Sequence, residues 1–108
     1  MTRVEYDEVA DAASVEVDGP TPPGRIDGTE RLDRDRLIKF DAEDRILVYE
    51  FHHVRRLGVK LDDLEHRDEL RALFREAGVA ERDWGTPLDA GRRRIAKQAA
   101  PKRGVPTA

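Results

Sequence analysis

The one concentration of metal-ligand side chains in this chain is Glu50, His52, His53 and His66. On a β-strand Glu50 and His52 point to one face and His53 to the other. Glu50, His52 and His66 would therefore be the three ligands of an open, catalytic type of metal site. No His-x-x-x-His spacing and no cysteine supports such a site, so strand-end histidines in solvent are the simpler reading. A second cluster, Asp7, Glu8 and Asp11, could offer carboxylate oxygens to a hard cation. It lacks the spacing and central glycine of a calcium loop, and turn-making accounts for it better, because Asp side chains accept nearby amide bonds. The sequence contains no recognisable Ser/His/Asp arrangement and no glycine loop set between a strand and a helix. The expectation is a non-enzymatic protein with no catalytic, cofactor-binding or metal-binding residue.

The charge is unevenly spread. Residues 1–83 carry 22 acidic and 14 basic side chains, whereas residues 84–108 carry one acidic and six basic. Arg92, Arg93, Arg94, Lys97, Lys102 and Arg103 make this basic end. Such a segment could bind phosphates with salt-sensitive affinity for nucleic acid, or dock into an acidic groove of a protein and fold on contact. A solvated helix face is the plain alternative. No aromatic lies among these six cations, so stacking on single strands is unsupported. Trp84, the only tryptophan, is expected to anchor a linker on its own domain; the competing role is a partner hot spot.

These side chains must be positioned by elements that the hydrophobic pattern reveals. Leu37, Ile38 and Phe40 form one arm of a β-hairpin, and Ile46, Leu47, Val48, Tyr49 and Phe51 the other, around the polar Asp41-Ala42-Glu43-Asp44. A two- or four-residue loop sets Phe40 opposite Leu47 and Ile38 opposite Tyr49, which gives the purer apolar face. A three-residue loop with Asp44 left-handed would shift the register by one. Either way Ile46 and Val48 lie on the second face, and a strand apolar on both faces needs cover on both. An exposed patch on that face, with Val48 and Leu37, invites a second copy of the chain, so a homodimer is expected.

Alternation predicts further strands at Arg3–Tyr6 and Ala13–Val17 and a weaker one from Arg25 to Leu32; the proline-broken stretch Asp18–Gly24 is a loop. Leu64, Leu70, Leu73, Phe74 and Ala77 recur at helical spacing, with Asp62 or Asp63 as cap and Gly78 as the stop. Thr86, Pro87 and Asp89 read as a second helix start, and Gly91 as a penalty of about 1 kcal/mol inside that helix. The fold class is α+β: a four- or five-stranded antiparallel β-meander, one helix on its apolar face, and a basic C-terminal helix or tail. Residues 1–79 form the meander-plus-helix domain, 80–100 a linker and basic helical extension, and 101–108 a disordered tail.

Two segments resemble a small bacterial family catalogued as domain of unknown function 2283. Tyr6-Asp7-Glu8-Val9-Ala10-Asp11-Ala12-Ala13 resembles its opening motif, and Lys39 to Phe51 its Asp-led turn followed by an apolar strand with a late Glu. Val59-Lys60-Leu61 is similar to its closing stretch. The resemblance covers residues 3–64. Ser14 stands where an aromatic is usual, and Asp44 and Val48 where glycine is usual. The resemblance implies a small β-sheet protein without catalytic residues, some relatives of which look like antitoxin partners of ribonuclease-like toxins.

The 40% charged content and the mean hydropathy of −0.74 describe a small core under a heavily solvated surface. Met1 leads into no apolar run, so neither a signal peptide nor a membrane span is expected. The lack of cysteine fits a reducing cytoplasm. The leading functional expectation is a protein-interaction module, antitoxin-like, whose acidic body masks a basic toxin surface. A nucleic-acid-binding accessory protein acting through Arg92 to Arg103 is the alternative, and a small metal-dependent enzyme comes last.

Overall fold

The computed structural model describes residues 1 and 3–99. Five strands, β1 (Glu5–Asp7), β2 (Ala12–Glu16), β3 (Gly28–Asp33), β4 (Arg36–Phe40) and β5 (Ile46–His52), form one antiparallel sheet in the spatial order β1-β2-β5-β4-β3. The chain is thus the expected α+β protein. β3, β4 and β5 follow one another as a meander, and the β1–β2 hairpin adds to it alongside β5. β5 becomes the central strand, which is why its residues are apolar on both faces.

The hairpin turn combines the two registers considered above. The Asp41 amide donates to the Arg45 carbonyl at 3.0 Å, and Asp44 is left-handed with φ of 66°, so three residues make the loop. Phe40 accordingly faces Ile46 and not Leu47, but a bulge restores the favoured Ile38–Tyr49 pairing two residues later. Asp41 holds the turn: its Oδ1 accepts the amides of Glu43 and Arg45, and its Oδ2 accepts Arg45 Nε at 2.8 Å.

The first sheet face carries Ala13, Val15, Ile38, Tyr49 and Phe51, all buried. Helix α2 (Arg67–Glu76) lays Leu70 and Phe74 on it, with the Phe74 ring edge-on to Phe51 at 5.0 Å. The helix starts later than Leu64 because Asp62 and Asp63 are engaged elsewhere, by Lys60 and Arg36. It stops as expected: Gly78 has φ of 76°, its amide donates to the Arg75 carbonyl, and the Val79 amide donates to the Phe74 carbonyl. The basic helix α3 (Asp89–Ala99) lies over β3 on this same face, with Ile95 against the core. It begins at Asp89, not after Thr86, because the Leu88 amide is given to the Leu32 carbonyl at 2.9 Å.

The patch expected on the second sheet face is mostly covered within the chain: Ile46 and Val48 are 6% and 8% exposed, and Leu37 is half-buried. The bulge brings Ile46 into the main core cluster. Val48 lies under the crossover that must carry the chain from β2 to the far edge at β3; Thr21 and Ile26 of that crossover line the same trough as Val48. Residues 80–82 are likewise not linker. Glu81–Arg82 (β7) pairs in parallel with Val59–Lys60 (β6), just after a one-turn helix α1 (Val54–Leu57). Such short elements have no period for a sequence to show. The tail expected at 101–108 lies outside the described residues.

Candidate interaction surfaces

The possible metal ligands are not brought together. Glu50 and His52 share a face, with His52 Nε2 3.3 Å from Glu50 Oε1. His66 lies across the sheet, its Nδ1 2.8 Å from the hydroxyl of Tyr49 on the α2-covered face. Burial pushes that hydroxyl well above the ordinary phenol range, so it stays protonated. Among the described residues no three His, Asp or Glu side chains are placed to hold a metal ion. Asp7 is the turn-maker expected, whereas the Asp11 side chain reaches 44 and 45 residues on to the first-turn amides of α1. Asp7 accepts the amides of Val9 and Ala10, while Asp11 accepts those of Arg55 and Arg56 and the Tyr6 hydroxyl.

The basic helix is partly consumed by the protein itself. Arg94 donates to Glu30 at 2.9 Å and to Asp44, and its guanidinium stands 4.3 Å from the centroid of the Phe40 ring. Lys97 pairs with Asp44 as well, and Arg92 with Asp89. Of the four cations named on this helix, Arg93 alone is exposed without a partner among the described residues.

A buried ionic network, unforeseen in the sequence, closes one end of the sheet. Arg36 is 1% exposed and donates to both oxygens of Asp63, to Asp33 and to the Lys60 carbonyl. Burial would pull this guanidinium down, but Asp63 and Asp33 overcome it and hold it above its ordinary value. The available signal was phase, since Arg36 falls on the same strand face as Ile38. Next to it, Asp35 accepts His53 Nδ1 at 2.7 Å and Arg82 Nη2 at 3.0 Å. A carboxylate only accepts, so His53 carries its proton on Nδ1.

Arg82 in turn presents Trp84. Its Nη1 donates to the Trp84 carbonyl at 3.2 Å, and its guanidinium lies 4.1 Å from the indole centroid. Trp84 is nevertheless 53% exposed and Leu57, at the end of α1, 36%. Trp84 thus anchors on its own domain through Arg82, and keeps half its surface in water. Leaving about 100 Å² of tryptophan in water forgoes roughly 2–3 kcal/mol.

Among the described residues neither α2 nor α3 lies on the second sheet face, which is bordered by the crossover and its 3-10 turn at Pro23–Arg25. Glu5, Asp7, Glu16 and Glu50 stand around a trough of about 380 Å³ with Ala12, Ser14 and Val48 also in its lining. Among the described residues Lys39 is the one cation that lines it, its ammonium 3.7 Å from Glu50, and Arg3 pairs with Glu5 at 2.8 Å. Glu16 also accepts the Thr21 amide at 2.6 Å, which fixes the crossover above the sheet. Among the described residues no helix is long and apolar enough to cross a membrane. Compared with protein-family models, with curated proteins and with solved structures, the chain matches none.

Proposed function

We propose that this chain is a non-enzymatic protein-interaction module that receives a basic protein surface on the sheet face opposite α2 and α3. The observation that carries the reading is the trough ringed by Glu5, Asp7, Glu16 and Glu50. Carboxylates fixed on a sheet can stand in for phosphates before a protein that binds nucleic acid, and complementary charge steers such an encounter. The excess of acidic over basic side chains in residues 1–83 extends the same field over the body. In its finer form the reading is an antitoxin-like, cytoplasmic inhibitor of a small ribonuclease-like toxin. That form rests on the family resemblance of residues 3–64 and on the absence of cysteine. With Ile46 and Val48 covered, the partner proposed is a different protein, not a second copy. The nucleic-acid alternative loses support, because Arg94 and Lys97 already face Asp44 and Glu30.

The test is affinity capture from the source cells with wild type and with Glu5→Lys/Glu50→Gln as baits, at low and high salt. The wild type should retain a basic protein that the variant loses and that high salt releases. Equal retention by both baits, or capture of nucleic acid alone, overturns the reading.

A further inference from the structure

We infer that the outer edge of β1 takes up a strand of the partner, an extended segment with Lys or Arg at alternate positions and apolar residues between them. This rests on the reading of the acidic trough given above and says how the basic partner enters it. β1 is the outermost strand of the sheet and pairs with β2. Among the described residues nothing hydrogen-bonds to its outer backbone edge. The opposite edge is partly occupied: the Leu32 carbonyl of β3 accepts the Leu88 amide, and Arg94 of α3 reaches Glu30. An unpaired edge offers its N–H and C=O groups to another chain, and the alternating side chains decide which chain fits.

The side chains of β1 name the segment. Glu5 and Asp7 are exposed and line the trough, so both stand on the second sheet face. An added strand sets its own alternate residues on that face at the same spacing, about 6.5–7 Å. Asp7 gives only Oδ1 to the Val9 and Ala10 amides. Arg3 reaches only Oε1 of Glu5, in a water-exposed ion pair that contributes little. Asp7 Oδ2 and Glu5 Oε2 have no partner among the described residues. Behind them stand Glu16 and Glu50, with Lys39 as the one cation lining the trough. Cations of the added strand placed opposite Glu5 and Asp7 therefore meet opposite charge. Tyr6 stands on the other face, where with Val4 it packs against the core and carries the Arg55 guanidinium 4.8 Å from its ring centroid. The residue between the two cations lands beside this apolar rim and this arginine, which suits an apolar side chain and not a basic one. A second copy of β1 does not fit. In a twofold antiparallel pairing about Tyr6, each Glu5 would face an Asp7 of the second copy, and like charges directly opposite repel.

Two end-capped hexapeptides of equal charge are titrated against the full chain, the alternating Arg-Val-Arg-Val-Arg-Val and the block Arg-Arg-Arg-Val-Val-Val. The alternating peptide should bind about tenfold tighter than the block one and slow amide hydrogen exchange in β1 while leaving β3 unchanged. N-methylating alternate residues blocks one edge of a peptide strand. Of the two alternate sets, one should abolish binding and the other spare it. Glu5→Gln should weaken the alternating peptide several-fold, and Glu76→Gln, an exposed carboxylate on α2, should leave affinity within about twofold. No binding at millimolar peptide, tolerance of both N-methyl sets, or an equal loss in Glu76→Gln overturns the proposal. Equal binding of the two peptides with β1 unprotected also overturns it, yet leaves the acidic face as the docking surface. Strand pairing on β1 without capture of a basic protein by the wild type upholds the edge and removes the function proposed above.

Discussion

Helices α2 and α3 lie on one face of one sheet and are held there by different forces. α2 buries Leu70 and Phe74 completely and packs an aromatic ring edge-on against Phe51. α3 adds the partly buried Ile95 and relies on Arg94 and Lys97 reaching Glu30 and Asp44. Burial of apolar surface is indifferent to salt and nearly so to pH, whereas partly exposed ion pairs are screened and titrate. α2 should therefore share the cooperative unfolding of the sheet, and α3 should open on its own at lower free energy.

The largest effect separating them is expected from Phe74→Ala. Removing a fully buried ring should destabilise the whole domain by about 3–5 kcal/mol, as should Tyr49→Ala or Phe51→Ala. Urea melts should show one transition with a lower midpoint, unchanged in its shift between low and high salt. A midpoint within error of wild type would mean that α2 is no part of the core.

Gly91→Ala comes next. In a solvated helix this change stabilises by about 1 kcal/mol. Here an added Cβ would overlap the Leu32 carbonyl oxygen and lie 2.6 Å from its carbon, both backbone atoms that cannot swing aside. The expected result is a loss of about 1–2 kcal/mol, set by overpacking and limited to the docking of α3. Hydrogen exchange should speed in α3 and stay unchanged in α2. A gain in stability with α3 still protected would show that α3 does not approach β3 so closely.

Gly91 also marks the limit of what the sequence could tell. Alternation and helical spacing were enough for β4, β5 and α2, and for the stop at Gly78, because burial repeats with a fixed period there. A glycine inside a helix looks like a penalty until the backbone it must approach is known. The same holds for Val48: nothing in Asp18–Gly24 says that this loop crosses the second face of the sheet. At the surface, Trp84 was visible by type and the acidic body by count. The support of Trp84 was not, because Asp35 reaches His53 and Arg82 across 18 and 47 residues, distances over which no local pattern survives.

A third and smaller effect tests the ionic hold directly. Arg94→Ala removes two ion pairs and a contact with the Phe40 ring, and should cost about 1–2 kcal/mol at low salt. In 1 M salt the screening length falls to about 3 Å and the loss should shrink. A double-mutant cycle with Asp44→Asn isolates the pair, and Asn is apt because it tolerates the left-handed backbone at this position. A coupling energy of zero would leave the hold of Arg94 to Glu30 and the Phe40 ring.

The smallest expected effect is the release of α3 by acid. Lys97, against burial and then with the help of Arg94, holds the Asp44 carboxyl below its ordinary value. An unfolded Asp titrates near pH 3.9, to within about a unit. With the folded value depressed, the stabilisation from Asp44 is complete above about pH 4–5 and is lost as the pH falls through the folded value. Arg94 and Lys97 keep their charge throughout, so protonation leaves two cations facing a neutral acid. Other depressed carboxyls work elsewhere: Asp11 through the Arg55 amide, Glu81 through Arg71 of α2, and Asp41 where the Arg45 amide and guanidinium overcome burial. Asp11 caps the start of α1 and Asp41 holds a turn, and α2 keeps Leu70 and Phe74 buried when Glu81 is protonated, whereas α3 has little else to hold it. In a titration from pH 6 to 3 followed by amide NMR, the signals of Arg94 to Lys97 should therefore shift and exchange at a higher pH than those of Leu70 to Phe74. In Asp44→Asn that early step should be missing, its α3 signals already being those of the released helix. One coincident acid transition for both helices in the wild type would place α3 in the same cooperative unit as α2.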